Sequence, residues 1–551
     1  MNNEEKTKFQ KNIFFGLVYK FKEFYTNTVF LLLIIGILAI GIRLYYFPYE
    51  IPFTYDALDY FSYATVMSQI GHFPNNWPLA NNGWPSFVSI FFSMMNYDNF
   101  FDFIHTQRLL SVVISVLTII PVYLLSKKFF SKSYSFIATG LFIFNPRIID
   151  NSLLGVTESL YLFLITFAVF FVLSKNKFYI YISFILIAFV AITRYEGLLL
   201  IIPFSIIFAI NKRNERKKII KYLFALMIFL LIIIPIAYLR IESSGEDGFI
   251  SHYTAGLTYV SSDLITGEEE DEKWIVKGEN NIPIFLSNAF YGFGKMFGLL
   301  IIPFYIFLVP LSLLAIIRKK ENKKINYESF SILIILGTMT LPALYAFGRN
   351  IEDPRLIFIF LPFLCLLSIP ILKNIEKKIN HKQISIMCFI FIIIVSSFLI
   401  VEYQKVDYSH EREVYKISQF IINNADGVNA ISPESRYFKT AEIERGWPNS
   451  INLDKDNPGH VSRDIKRIFA EKFETLDNFL IESEKIGITH LIVDGKEGRA
   501  EFLNLIYKND KDFPFLKKIY DSHQDGLKYH VKIYLIDFEE FKNNYSIKIK
   551  N

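Results

Sequence analysis

The chain has 551 residues, 52% of them hydrophobic and 17% aromatic, with a mean hydropathy of +0.32 and a formal net charge of +5 at pH 7. This composition excludes a single soluble domain, and a charge this modest gives no reason to expect nucleic acid as a partner. Apolar runs of about 18 residues or more recur along most of the chain, each long enough to cross roughly 30 Å of hydrocarbon, so the class is polytopic α-helical membrane protein.

The first run, 29–47, follows Lys6, Lys8, Lys11, Lys20 and Lys22. It is too long for a signal-peptide core and lacks a small-residue cleavage site, so it reads as a retained span. Further spans are expected near 105–126, 133–149, 157–174, 178–193, 197–211, 219–239, 295–317, 329–347, 356–372 and 384–402, about eleven in all. With the N-terminus placed in the cytoplasm, the basic clusters Lys127/Lys128, Lys175/Lys177, Lys212 to Lys218, Arg318 to Lys324 and Lys373 to Lys382 all fall on one side. That is the positive-inside pattern. The other side receives loops 48–104 and 240–294, short turns near 150 and 350, and everything after about residue 403. A multi-pass cell-membrane protein with a cytoplasmic N-terminus and an extracytoplasmic C-terminal region is the expectation. Cys365 and Cys388 lie inside apolar runs and read as small hydrophobes rather than a disulfide or metal pair.

The tail changes composition abruptly. Amphipathic stretches at 411–424 and 463–486 alternate with strand-like runs at 428–431, 488–493, 515–520 and 529–536. That predicts a membrane domain over 1–402 followed by a soluble α/β domain over 403–551.

Chemistry-bearing residues gather at the outer ends of the spans. Asp56 and Asp59 stand in Tyr55-Asp56-Ala57-Leu58-Asp59-Tyr60, among Phe53, Phe61 and Tyr63. If 56–67 is helical, their spacing puts both carboxylates on one face. Such a face could accept a proton from a hydroxyl or hold a divalent cation at a phosphate; equally, Asp56 could cap the helix and Asp59 be solvated. Glu158 opens the fourth span, where the helix dipole favours a carboxylate; it could also be a second acid facing the same aqueous pocket. Thr193-Arg194-Tyr195-Glu196-Gly197 forms the outer turn after the fifth span, and Arg349 and Glu352-Asp353-Pro354-Arg355 precede the tenth. Interfacial snorkelling accounts for such arginines, but three at outer ends run against positive-inside statistics, and a guanidinium suits a phosphate. Gly294 and Gly298 make a GxxxG that predicts a helix contact. His105 and Arg108 read as interfacial anchors, and the acidic run 268–272 as a solvated loop. No Walker loop, strand-borne GxGxxG or zinc pattern is present, and charges are scarce in the middle of the spans.

These residues resemble the GT-C-type integral membrane glycosyltransferases, in the branch of protein O-mannosyltransferases and aminoarabinose transferases, over roughly 29–372. The resemblance rests on TYDALDY in the first outer loop, NPRIIDNSLLGVTESLY, TRYEG and DPRLIFIFLP. It implies transfer of a sugar from a polyprenyl- or dolichyl-phosphate carrier to a protein, glycan or lipid acceptor on the outer face, with inversion. By the same resemblance Asp56 and Glu158 are the catalytic acids, and Arg194, Arg355 and Arg349 serve the carrier phosphate. Asp59 and Glu196 are then accessory, with a divalent metal left open. The sequence departs from the family where the mannosyltransferases' adjacent Asp-Glu pair becomes Asp56-Ala57, and the tail has no WWDxG. A flippase for lipid-linked glycans would also want an apolar groove and outer arginines. It would, however, place polar groups along a path through the bilayer, and here they gather at one face.

Overall fold

Helix follows the apolar runs. In the computed structural model, which describes residues 28–174, 176, 178–261, 282–318, 327–379, 382–451 and 465–543, the chain begins with α1 (Thr28–Tyr45), α2 (Tyr55–Ile70), α3 (Gly83–Phe92) and α4 (Phe100–Leu117). Next come α5 (Ile119–Ser126), α6 (Lys132–Ile143), α7 (Pro146–Ser152), α8 (Glu158–Val172), α9 (Tyr179–Thr193) and α10 (Ile201–Asn211). Then follow α11 (Lys218–Ser244), α12 (Ile250–Ser261), α13 (Ile282–Ile301), α14 (Tyr305–Arg318), α15 (Tyr327–Gly348), α16 (Leu361–Ile379) and α17 (Lys382–Tyr403). The tail adds α18 (Ser409–Asn424), β1 (Gly427–Asn429), α19 (Ser432–Gly446), β2 (Lys466–Ile468), α20 (Leu476–Ile486), β3 (His490–Asp494), α21 (Glu501–Lys508), β4 (Leu516–Asp521) and β5 (Val531–Ile536).

Among the described residues, seven helices are long and apolar enough to span a bilayer, with shorter apolar helices, α8 and α9 among them, between them. The chain is therefore a multi-span helical membrane protein with a C-terminal mixed sheet. Two compact units divide it. One is Met1–Phe47, Pro78–Trp84 and Arg108–Gln404; the other is Pro48–Trp77, Pro85–Gln107 and Lys405–Asn551.

In the first unit, polar contacts mark the two ends of the helices. At one end Lys128 Nζ donates to Leu173 O at 3.2 Å and Ser174 Oγ at 2.8 Å, and the Tyr134 hydroxyl donates to Glu376 Oε2 at 2.5 Å. At the ends of α1 and α17 the Tyr46 hydroxyl donates to Glu402 Oε2 at 2.7 Å. The C-terminal ends of these two spans thus meet, as they must if the first and last crossings run the same way. Arg43, fully buried in the last turn of α1, donates to Ser152 Oγ at 3.0 Å, Ser115 Oγ at 3.3 Å, and the carbonyls of Ala39 and Ile143 at 3.1 Å. A guanidinium in an apolar run is tolerated when its N–H groups are met in this way.

Several expected spans are interrupted, 133–149 and 295–317 among them. The run 133–149 breaks into α6 and α7, because Asn145 Oδ1 accepts the Arg147 N–H at 2.9 Å and Pro146 has no N–H for a continuous helix. The run 295–317 is two helices, α13, which starts earlier at Ile282, and α14, divided after Ile301. A Cβ built on Gly294 or Gly298 meets nothing within 4 Å, so neither makes a close contact within the described chain; Gly292 does, with Phe347 Cβ at 2.9 Å. The acidic run 268–272 and the basic N-terminal residues lie outside the described residues.

In the second unit the sheet order is β2-β1-β3-β5-β4, with β1 parallel to β2 and β3, and β5 antiparallel to β3 and β4. Period-two alternation supplies a core on each face. Ile492, Val531 and Ile533 join α18 and α19 through Tyr415, Ile417, Phe438 and Ala441. Leu491, Val493, Tyr534 and Ile536 join α20 and α21 through Phe479, Leu480, Leu503 and Ile506. Ile51 of the first loop belongs to the former core. The stretch read as helix over 463–486 is instead strand β2 and then α20.

Glu434, in the first turn of α19, is fully buried, and neither carboxylate oxygen has a partner in hydrogen-bonding geometry. The hydroxyl of its neighbour Tyr529 donates to Asp494 Oδ2 at 2.7 Å. Burial pushes the Glu434 carboxyl up to about 7 from 4.5. Across that window the folded unit holds a proton that the unfolded chain has lost. Its stability therefore falls as pH rises from about 4.5 to about 7, by about 3 kcal/mol at most, and levels off above. Amide hydrogen exchange of α19 in the full chain should show this decline, and Glu434→Gln should flatten it; identical profiles in the two proteins would refute the assignment.

Candidate active site

Antiparallel packing of α8 on α9 brings the N-terminus of one and the C-terminus of the other to the same end of the first unit. Glu158 is the first residue of α8, where helix N–H groups favour a carboxylate, and Arg194 is the C-cap of α9. Arg194 Nη1 donates to Glu158 Oε1 at 2.7 Å and Nη2 to Glu196 Oε1 at 3.0 Å, with Nε at 3.5 Å from Glu196 Oε2. The side chains of Arg194 and Glu158 are 11% and 3% exposed, so this is a desolvated trio. Glu158 Oε2 is buried without a partner among the described residues.

The surrounding chain enforces this arrangement. The turn after α9 is tight: a Cβ on Gly197 would stand 2.7 Å from Val190 Cγ1 and 2.9 Å from Ala191 N, so only glycine fits. Gly83 passes as closely over the end of α9, its Cβ position 2.7 Å from the Ile192 carbonyl. The Tyr195 N–H is accepted by Asn81 Oδ1 at 3.2 Å, and Trp84 Nε1 donates to Gly155 O at 2.8 Å. Helix α12 adds aromatic cover: the Tyr253 hydroxyl donates to Tyr195 O at 3.2 Å, and the His252 and Tyr195 rings are 4.8 Å apart. The Arg194 guanidinium lies 5.7 Å from the Tyr161 ring.

A second turn follows α15. Arg349 Nη1 donates to the Tyr345 hydroxyl at 3.3 Å, and both residues lie within electrostatic reach of Tyr195. Arg355 is held by its neighbour: its N–H reaches Asp353 Oδ1 at 2.8 Å and its Nε reaches Oδ2 at 2.7 Å. Its 3₁₀ turn, Pro354–Phe360, packs on α8, α13 and α15. Of the expected residues in this unit, Glu158, Arg194 and Glu196 are in direct contact. Arg349 and Arg355 sit on the neighbouring turn.

Asp56 and Asp59 belong to the second unit. The helix expected over 56–67 is α2, and both acids lie on its first turns. Asp56 does not cap it: Thr54 is the N-cap, and makes no side-chain cap bond. Asp56 is exposed, and Asp59 Oδ1 accepts from Lys439 Nζ at 2.8 Å. The residue between cap and acid is strained: Tyr55 has φ = 53°, in the left-handed region that a bulky residue avoids. Strain of this kind is kept where the surroundings over-determine the backbone, and it concentrates at functional sites. No group of three His, Cys, Asp or Glu able to hold a metal lies together among the described residues.

Sequence reading did not single out Arg43, Trp84, His252, Arg436 or Lys439. Only Arg43 carried a signal, as a charge inside an apolar run.

Residues 100–239 match the profile of the family described as dolichyl-phosphate-mannose-protein mannosyltransferase. No curated protein matches the chain. Among solved structures, it is similar to the oligosaccharyltransferase of Archaeoglobus fulgidus in complex with zinc and sulfate. That match has 12% identity and a TM-score of 0.52, and covers 84% of this chain and 68% of that one. It is also similar to the archaeal oligosaccharyltransferase AglB of the same organism with an inhibitory peptide and a dolichol-phosphate, at 14% identity and a TM-score of 0.52, covering 90% and 73%. ArnT from Cupriavidus metallidurans bound to undecaprenyl phosphate matches over 92% of this chain and 97% of its own, at 7% identity and a TM-score of 0.49. At these identities the structural likeness is one of fold. With the match over residues 100–239, it makes the chain similar to membrane glycosyltransferases of the GT-C type.

Replacing Arg194 by Leu strands two carboxylates in a dry site, which should cost about 3–5 kcal/mol. Thermal unfolding of the purified protein should show a large drop for Arg194→Leu and partial recovery when Glu158→Gln is added. Equal stability of wild type and Arg194→Leu would show that the trio is solvated.

Proposed function

We propose that this protein transfers a sugar from a polyprenyl-phosphate carrier to a hydroxyl acceptor on the extracytoplasmic face, with Asp56 as the base. The observation that carries the reading is the place of the exposed Asp56, on the first turn of α2 and directly after a tyrosine held at φ = 53°. Neighbours that bind undecaprenyl phosphate or dolichol-phosphate are consistent with such a donor. In a single displacement the acceptor oxygen attacks the anomeric carbon and its proton passes to Asp56. The bond to the carrier oxygen breaks, and its electron pair leaves on the phosphate, giving inversion.

The departing phosphate needs cations. Arg349 and Arg355 are the groups proposed to touch it. Arg194 has Nη1, Nη2 and Nε directed at carboxylates, so its charge is already committed to Glu158 and Glu196. Its role is then to hold Glu158 and Glu196 in place. Asp56→Asn should lower carrier release by about 10²–10⁴-fold without unfolding the protein. Arg349→Lys and Arg355→Lys should each raise the donor KM about tenfold and leave the acceptor KM alone, since a charged hydrogen bond is worth about 1.5–3 kcal/mol. Full activity in Asp56→Asn would eliminate the base, and unchanged donor KM in both arginine variants would eliminate the phosphate site.

The confinement of basic clusters to one side supports a cytoplasmic N-terminus and an extracytoplasmic tail, and the meeting of Tyr46 with Glu402 supports parallel first and last spans. Cysteine labelling from outside should reach a Cys placed at Gly495 and miss one at Lys217; the reverse would invert the topology.

A further inference from the structure

We infer that helix α19 of the tail belongs to the catalytic apparatus, with Lys439 and Thr440 as positioning residues that hold the Asp56 turn in its working conformation. The inference rests on the reading of Asp56 as the base, and it gives the tail a role that the first-loop motif alone does not suggest.

The contacts form a continuous series. Going along α19, the Arg436 guanidinium lies 5.8 Å from the Tyr55 ring, Lys439 Nζ meets Asp59 Oδ1 at 2.8 Å, and Thr440 Oγ1 donates to the Phe53 carbonyl at 2.8 Å. Beyond its end the Trp447 ring stands 5.8 Å from that of Phe61, 5.5 Å from Phe100 and 5.1 Å from Phe103. Spacings of three and four residues put 436, 439 and 440 on one helical face. Their partners, Phe53, Tyr55 and Asp59, bracket Asp56 from both sides. Thr440 is fully buried and Phe53 nearly so, which fixes the backbone just before the strained residue. Tyr55 in a left-handed conformation cannot be maintained by local preference; the groups that hold it come from α19.

Lys439 has an electrostatic part as well. Asp59 lies three residues from Asp56 on the same side of α2, a spacing at which like charges repel. The ammonium of Lys439 compensates Asp59. The pair is only partly buried, with side chains 30% and 49% exposed, so it adds little to stability. Substitutions here therefore report on catalysis rather than on folding.

The test uses the full chain in lipid nanodiscs. Turnover is read as carrier release from a panel of polyprenyl-phosphate hexoses and pentoses, and hydrogen exchange of residues 53–61 is read alongside. Lys439→Met should lower kcat at least tenfold with the donor KM unchanged, since small misplacements of a reacting group cost about that much or more. It should also speed exchange at 53–61. Lys439→Arg should keep most of the activity. The swap D59K/K439D should recover kcat relative to either single change, and Thr440→Val should speed exchange and lower kcat. Normal kcat and exchange in Lys439→Met and Thr440→Val, or no recovery in the swap, would overturn the inference. Asp56→Asn run in parallel separates the two claims. If it is inactive while Lys439→Met is normal, only the role of the tail fails; if it is active, the base assignment fails and this inference with it.

Discussion

The ion-paired trio of Glu158, Arg194 and Glu196 is the constraint on which one end of the first unit depends. Two carboxylates and one guanidinium are nearly removed from water there, and such groups are tolerated only when geometry is close and further hydrogen bonds complete their shells. The local chain serves that requirement. Gly197 permits the turn, Gly83 lets a second segment pass over the end of α9, and Asn81 and Tyr253 hold the backbone of Tyr195. The trio carries one more negative than positive charge, and the Glu158 oxygen without a partner keeps a buried acceptor in reserve.

Elsewhere in that unit, Arg43 and Lys128 stand at helix ends and are satisfied by neutral partners. Arg43 is met by two serines and two carbonyls rather than by a contacting carboxylate. Lys128 closes the opposite end on Ser174 and the Leu173 carbonyl. This distribution suits an enzyme that works on a lipid head group at one surface better than a carrier that moves cargo across, because a path through the bilayer needs polar groups along its length.

The second unit follows different physics. Its sheet is covered on both faces, and the alternation of Leu491, Ile492 and Val493 assigns successive side chains to opposite cores. First-loop residues are built into that same unit: Ile51 enters one of its cores and Phe61 packs on Trp447. A segment bound in this way can hold an unfavourable backbone such as that of Tyr55, which a free loop would relax.

Much was legible in the sequence. Apolar length gave the membrane class, the Asp56–Asp59 spacing gave a helical face, and strand-like runs located β1, β3, β4 and β5, because each signal is local and repeats with the period of its element. The breaks at Asn145 and after Ile301 were less visible, since a hydropathy window averages over a cap or a short interruption. Strand β2 and helix α19 carried no such pattern; three residues are too few for a period, and a helix whose sides meet both a core and other protein has no single apolar stripe. The sequence by itself thus determined the class, the gathering of the acidic and basic motifs at the ends of apolar runs and the resemblance to lipid-phosphate glycosyltransferases. Only the tertiary structure decided that Arg194 is enclosed by Glu158 and Glu196, and that Asp59 is answered by Lys439, 380 residues away along the chain. The physical reason is that ion pairing acts through space at a few ångströms, and nothing in the spacing of residues along a chain records it.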